Sequence, residues 1–288
     1  MITRRMRQKS RLEMEFNMSD ELIKCDTIGR VRRLTLNRPE KLNAVNEALE
    51  DALEDALHEA ENSPEISVVI IRGSGRAFSA GHDLTGGGSA PDFAKESQSP
   101  QADLQKVRSG AGRFADNLNL SIPVIAQVHG YCMGVGTCLA LNCDLVVAAS
   151  DAKIGFPPVR WGGSPPTHMW TYLVGPQWAK YMLLSGDTID GDTAATIGLV
   201  LKAVPAKDLD DTVLELAQNL TKVPRDLLAT NKGICNKALD LMGRNTLQQL
   251  AHEADVMGHF SPDAREFLSI AREDGMKAAL KWQERKFS

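Results

Sequence analysis

The chain has 288 residues, 43% hydrophobic and 24% charged, with a net charge of −4, which suits one large globular domain or one with a helical appendage. No global positive field is there to draw in nucleic acid, and no apolar run approaches the roughly 20 residues that a bilayer-spanning helix needs. Five cysteines, an odd number in no CxxC or finger-like spacing, argue against a disulfide framework and a structural zinc site and point to a reducing, cytoplasmic setting.

Residues 1–21 form a basic extension: Arg4, Arg5, Arg7, Lys9 and Arg11 precede the first acid, Glu13. Such a start fits a disordered tail, an upstream initiation with Met14 or Met18 as the usual beginning, or an Arg-rich transit peptide. Residues 31–37 read as a strand closed by Arg38-Pro39-Glu40. From Asn46 to about Glu61 the apolar residues Leu49, Ala52, Leu53, Ala56 and Leu57 repeat with a helical period. Residues 67–72 form a continuously apolar strand, the type expected when both faces of a sheet are covered.

The stretch from Thr85 to Pro100 reads as a flexible loop, with Gly86-Gly87-Gly88 and two prolines; its Asp92 and Glu96 are candidates to swing over a site or simply to face water. A helix is expected from about 102 to 118, then a buried strand at 124–128, a helix at 134–142 and another buried strand at 145–149. Strands alternating with helices predict an α/β core with right-handed crossovers over residues 22–205. From about Pro176 the pattern turns wholly helical, and amphipathic helices at 208–220, 225–241, 246–258 and 261–286, the last broken near Gly275, make residues 206–288 a C-terminal helical region.

Four segments, in this order, resemble the crotonase (enoyl-CoA hydratase/isomerase) superfamily over about residues 22 to 288. They are Arg38-Pro39-Glu40-Lys41-Leu42-Asn43-Ala44; Gly75 to Leu84, containing Ala80-Gly81-His82-Asp83; Pro123 to Ala149, centred on Gly130-Tyr131-Cys132-Met133-Gly134-Val135-Gly136; and Thr188 to Pro205. The resemblance implies a ββα spiral of two stacked sheets, an acyl-CoA thioester as substrate with coenzyme A entering only as part of it, no further cofactor, no metal, and a homotrimer or hexamer built through the C-terminal helices. It also implies that Lys41, Ala44, Ala80, His82, Asp83, Leu84, Tyr131, Gly134 and Val135 line the substrate cleft, and that the amides of His82 and Val135 hold the thioester oxygen.

The chemistry behind those amides is general. Making or breaking bonds next to a thioester carbonyl builds negative charge on its oxygen, and a fixed backbone N–H is worth about 3–4 kcal/mol to such an oxyanion. Glycine lets the substrate approach the chain, and the second segment also precedes a helix whose N-terminal end favours an anion.

The sequence departs from the family at the acids. Hydratases of this family use two glutamates, and the matching positions here are Cys138 and Pro158. An Ala-Gly-His-Asp segment occurs in methylmalonyl-CoA decarboxylase, a member without that pair. Three readings follow: an acyl-CoA enzyme of the hydratase/isomerase class working through an enolate, a decarboxylase-type lyase using His82, and a non-catalytic acyl-CoA binder. His82 titrates in the right range for proton transfer, although its amide alone could be what matters. Cys138, in an apolar helix, reads as a small buried hydrophobe rather than a nucleophile.

Overall fold

The computed structural model describes residues 22–84 and 99–287; the basic extension and the loop carrying Asp92 and Glu96 lie outside the described residues. The chain opens with a hairpin, β1 (Ile23–Ile28) and β2 (Val31–Leu36), turned at Gly29 with φ 59°. Helix α1 (Glu47–Asn62) starts where the Asn46 side chain accepts from the Leu49 amide at 3.0 Å, and it buries Leu49, Leu53, Ala56, Leu57 and Ala60.

Next come β3 (Val68–Gly73) and β4 (Ala77–Ser79), then α2 (Pro100–Ser109), capped by Ser99. The helix expected at 102–118 breaks at Gly110, and residues 111–119 continue as a 3-10 helix. Two further rounds of strand, short strand and helical turn follow. The first is β5 (Val124–Val128), β6 (Tyr131–Met133) and α3 (Val135–Leu141). The second is β7 (Leu145–Ala149), β8 (Lys153–Gly155) and a 3-10 turn at Pro157–Arg160.

The long strands form a six-stranded sheet in the order β1-β2-β3-β5-β7-β10, parallel from β2 onward, and the short ones form a second sheet, β4-β6-β8-β9. Residues Val68–Ile71 and Val124–Val128 are buried throughout, which is why the first reads as an unbroken apolar run and the second is apolar but for Gln127. Because β4, β6 and β8 run parallel, their carboxyl ends, Ser79, Met133 and Gly155, come side by side.

Helix α4 (Trp170–Ser185) is interrupted at Gly175, φ 72°, ahead of Pro176. The region expected to be wholly helical then yields β9 (Thr188–Asp190), α5 (Gly191–Thr196) and β10 (Lys202–Val204), two three-residue strands that complete the edges of both sheets. Helices α6 (Leu209–Leu220), α7 (Arg225–Leu241), α8 (Arg244–His259), α9 (Pro262–Glu273) and α10 (Met276–Glu284) finish the chain, with the break at Gly275 between the last two. Asp144 ties this region to the core: its carboxylate accepts from the Val124 amide and pairs with Lys232 of α7, both at 2.7 Å. No helix among the described residues is long and apolar enough to cross a membrane.

Candidate active site

Two backbone segments meet where the second sheet ends. The first is held by Asn43, whose fully buried side chain accepts from the Arg38 amide at 2.9 Å and donates to the carbonyls of Ala77 (2.7 Å) and Ser74 (2.9 Å). Leu42 and Asn43 both sit at positive φ, 53° and 54°, so this network stabilises a turn that L-residues adopt at a cost. Onto the turn the chain lays Ala80–Asp83: Ala80 N–H donates to Leu42 O (2.9 Å), Val45 N–H to Gly81 O (2.7 Å) and Asp83 N–H to Val45 O (2.7 Å).

That last pair is a parallel bridge between Val45 and His82. In such a bridge the middle residue's own N–H and C=O point to the opposite side. The Asp83 carboxylate is gripped by Arg38 at 2.6 Å and Lys41 at 2.9 Å, fixing the residue next to His82.

The second segment turns at Gly134 (φ 54°, ψ −126°), whose amide donates to Gly155 O at 3.0 Å and whose carbonyl accepts from the Thr137 hydroxyl at 2.7 Å. Helix α3 starts at Val135. The segments pack backbone to backbone: a Cβ on Gly81 would come within 3.0 Å of Met133 O, and one on Gly136 within 2.8 Å of Ser79 O. Only hydrogen fits at either place. Among the described residues the amides of His82 and Val135 find no acceptor in the protein.

His82 is exposed by area, yet protein crowds its ring enough to push its pKa down to about 4, burial acting first and the charge of His259 second. The direction of the shift makes the imidazole neutral at pH 7.

The walls carry the departures from the family. Cys138 is buried one turn into α3 and its thiol is pushed up to about 12, chiefly by burial, so it is no nucleophile. Pro158 stands over Gly134, its Cγ 3.4 Å from where a Cβ would lie. Trp161 stacks on Phe267 of α9, centroids 4.5 Å apart, which makes the wall after Pro158 a seat for the C-terminal helices.

Through that seat a group of polar side chains arrives that the sequence reading did not connect. Asp255 of α8 accepts from the Ser164 amide at 2.8 Å, His259 Nε2 lies 3.4 Å from the same oxygen, and His259 Nδ1 is 2.8 Å from Asp103 of α2. Burial raises the Asp255 pKa to about 6 against the opposing charge of His259. Burial alone would depress His259, but the hydrogen bond that its ring donates to Asp103 and the two carboxylate charges outweigh it and its pKa is raised. A signal was present: Arg244, Gln248 and Asp255 put polar residues on the buried face of α8, the reverse of an ordinary amphipathic helix.

Of the residues expected to line the cleft, Lys41, Ala44, Ala80, His82, Asp83, Leu84, Gly134 and Val135 belong to the two segments just described. Tyr131 starts β6, paired with Ala77 of β4 and two residues before the Met133 end, 39% exposed with its ring 5.8 Å from Lys153 Nζ.

Comparison with known proteins bears on this arrangement. The family model for enoyl-CoA hydratase/isomerase matches residues 27–278. EchA13 of Mycobacterium tuberculosis, assigned as an enoyl-CoA hydratase, is 34% identical over 263 residues, covering 82% of this chain and 79% of the relative. The hydroxycinnamoyl-CoA hydratase-lyase of Pseudomonas fluorescens is 32% identical over 217 residues, covering 73% of this chain and 77% of the relative. Among solved structures, an enoyl-CoA hydratase from Mycobacterium smegmatis superposes with a TM-score of 0.85 at 32% identity, covering 92% of this chain and 94% of that one.

Proposed function

The chain belongs to the enoyl-CoA hydratase/isomerase family, the crotonase superfamily, and from that premise we propose that it holds an acyl-CoA thioester with the carbonyl oxygen between the amides of His82 and Val135 and works through the enolate. The observation that carries this reading is the pair of amides without a protein acceptor on two segments packed so closely that a methyl group would part them. Lys41, Ala44 and Leu84 would flank the thioester, with coenzyme A as part of the substrate and no separate cofactor.

Hydration is the reaction these residues support least, since the family's two glutamate positions hold a neutral thiol and a proline. A lyase reaction on the same enolate is the second reading, and the printed activity of the Pseudomonas fluorescens relative combines both reaction types. In a decarboxylase-type version a carboxylate β to the thioester leaves as carbon dioxide, its bonding electrons form the enolate, and the neutral His82 ring hydrogen-bonds the departing group.

The test is turnover and binding across CoA esters of three kinds: enoyl, malonyl-type and 3-hydroxyacyl. Turnover of any one supports the enzyme reading and identifies the reaction. Binding of all three with no turnover leaves a non-catalytic acyl-CoA binder, and binding of none refutes the proposal.

The family also implies a trimer or a pair of trimers. Leu227, Ile234 and Leu241 are all exposed at seven-residue spacing along α7, and such a stripe favours self-association.

A further inference from the structure

A reaction beside a thioester carbonyl needs one group to carry the proton on the neighbouring carbon. Neither Cys138 nor Pro158 can do this, and His82 is held neutral on the cleft floor. We propose that Asp255 carries that proton, and that His259 and Asp103 position it; this rests on the enolate reading above.

Three observations converge on Asp255. Its Oδ1 accepts from the amide of Ser164, which puts the carboxylate on the wall that follows Pro158. The residue before Ser164, Gly163, packs on Pro158, a Cβ there meeting Pro158 Cβ at 2.7 Å, and Pro158 in turn stands over Gly134. Oδ2 has no protein partner among the described residues and is not among the atoms sealed from solvent, which leaves one oxygen available. The group is 6% exposed overall.

The backing is a carboxylate–imidazole–carboxylate chain. His259 sits 3.4 Å from Asp255 Oδ1 on one side and 2.8 Å from Asp103 Oδ2 on the other. Asp103 is itself 9% exposed, so the imidazolium has an anion on each side and its orientation is fixed. The groups that face Asp255 are therefore His259 on its own helix, Asp103 on α2 and Cys138 on α3, with the Ser164 amide from the intervening wall.

In the step itself, the C–H bond next to the thioester carbonyl breaks and its electron pair moves into the carbonyl. The oxygen takes the negative charge against the amides of His82 and Val135, and the proton moves to the Asp255 carboxylate. Running the step backwards returns the proton to carbon. A carboxylate whose pKa is raised toward neutrality suits both directions.

The experiment measures deuterium uptake at the carbon next to the thioester of butanoyl-CoA and 3-phenylpropanoyl-CoA in D2O, alongside their Kd by calorimetry. Asp255→Asn keeps an oxygen for the Ser164 amide, and we expect it to slow exchange by about 100-fold or more with Kd within about threefold of wild type. In His259→Gln the opposing positive charge is gone, so the acidic limb of the pH–rate profile should move to higher pH. Exchange by Asp255→Asn at the wild-type rate overturns the assignment. Should Asp255→Asn fail to fold, an unmoved limb in His259→Gln overturns it equally. Wild-type protein that binds both esters and exchanges neither removes the enolate reading itself, and the assignment with it.

Discussion

A Cβ placed on Gly136 would come within 2.8 Å of the carbonyl oxygen of Ser79 and 2.9 Å of its Cβ. Two segments 57 positions apart in sequence, the ones that carry His82 and Val135, thus pack together through one missing methyl group. Gly136 lies in helical backbone, so alanine suits its own helix and the clash alone opposes it. Gly136→Ala should cost about 1–3 kcal/mol by overpacking and lower kcat far more than it raises KM. Equal kcat with intact folding would show that the spacing of the segments is irrelevant to turnover.

The amides themselves can be tested without disturbing the fold. Val135 is the first residue of α3 and its N–H has no partner among the described residues; proline is well tolerated at a first helical position, where the amide makes no intrahelical bond. Val135→Pro removes the donor, and kcat/KM should fall by about 10²–10³-fold, the usual effect of losing one oxyanion donor. His82→Ala keeps its amide: turnover close to wild type would assign the work to the backbone, and a loss of comparable size would assign it to the imidazole.

How legible this was depended on length scale. The runs Val68–Ile71 and Val124–Val128 announce themselves because burial on both faces leaves Gln127 as the one polar side chain between them. Strands β4, β6 and β8 have three residues each, too few to express a period of two, although they set the site. The helix expected across 102–118 ends at Gly110, whose φ −99° and ψ −129° leave the helical region, and the backbone there packs on the buried Glu50 carboxylate, 3.3 Å from where a Cβ would lie; no local pattern encodes that contact. The Asp103–His259 pair spans 156 positions, so spacing rules for local motifs do not reach it. The close packing of the two segments was legible through the resemblance, since Gly81 and Gly136 keep the small residues that this packing requires.

Asp83 lies between two cations, with 5% of its side chain exposed, and Arg38 also donates to Ala44 O. Removing Arg38 leaves Asp83 with Lys41 alone and loses the bond to Ala44 O, so Arg38→Ala should destabilise the fold by about 1–3 kcal/mol and raise KM for a CoA ester by loosening the segment that carries His82. Urea unfolding of Arg38→Ala, Asp83→Asn and the double variant gives the coupling between them. A coupling near zero would mean that the pair does not hold this segment.

The stripe on α7 offers a test of assembly independent of the chemistry. Ile234→Glu places a charge in its middle, where a solvent-facing residue would tolerate it without change in stability. Light scattering should show the wild type as a trimer or hexamer and Ile234→Glu as a smaller species with an unaltered circular-dichroism spectrum. A wild-type monomer, or an Ile234→Glu protein of unchanged mass, would remove α7 from the interface.

Glu50 makes a prediction about pH. Its side chain is buried in α1, and burial raises its pKa to about 7 even though Arg113 pulls the other way from 3.9 Å. The folded state therefore prefers the neutral acid, while the unfolded chain ionises near 4.5. Below that value the group costs nothing; as pH rises from there toward 7 the unfolded state releases its proton first and stability falls. Arg113 keeps Asp51 and Glu54 as partners if Glu50 is neutralised. Glu50→Gln should thus be more stable than wild type at pH 8, by up to about 3 kcal/mol, with the two denaturation curves converging near pH 4. A destabilised Glu50→Gln at pH 8 would mean that the Arg113 interaction outweighs the cost of burying the charge.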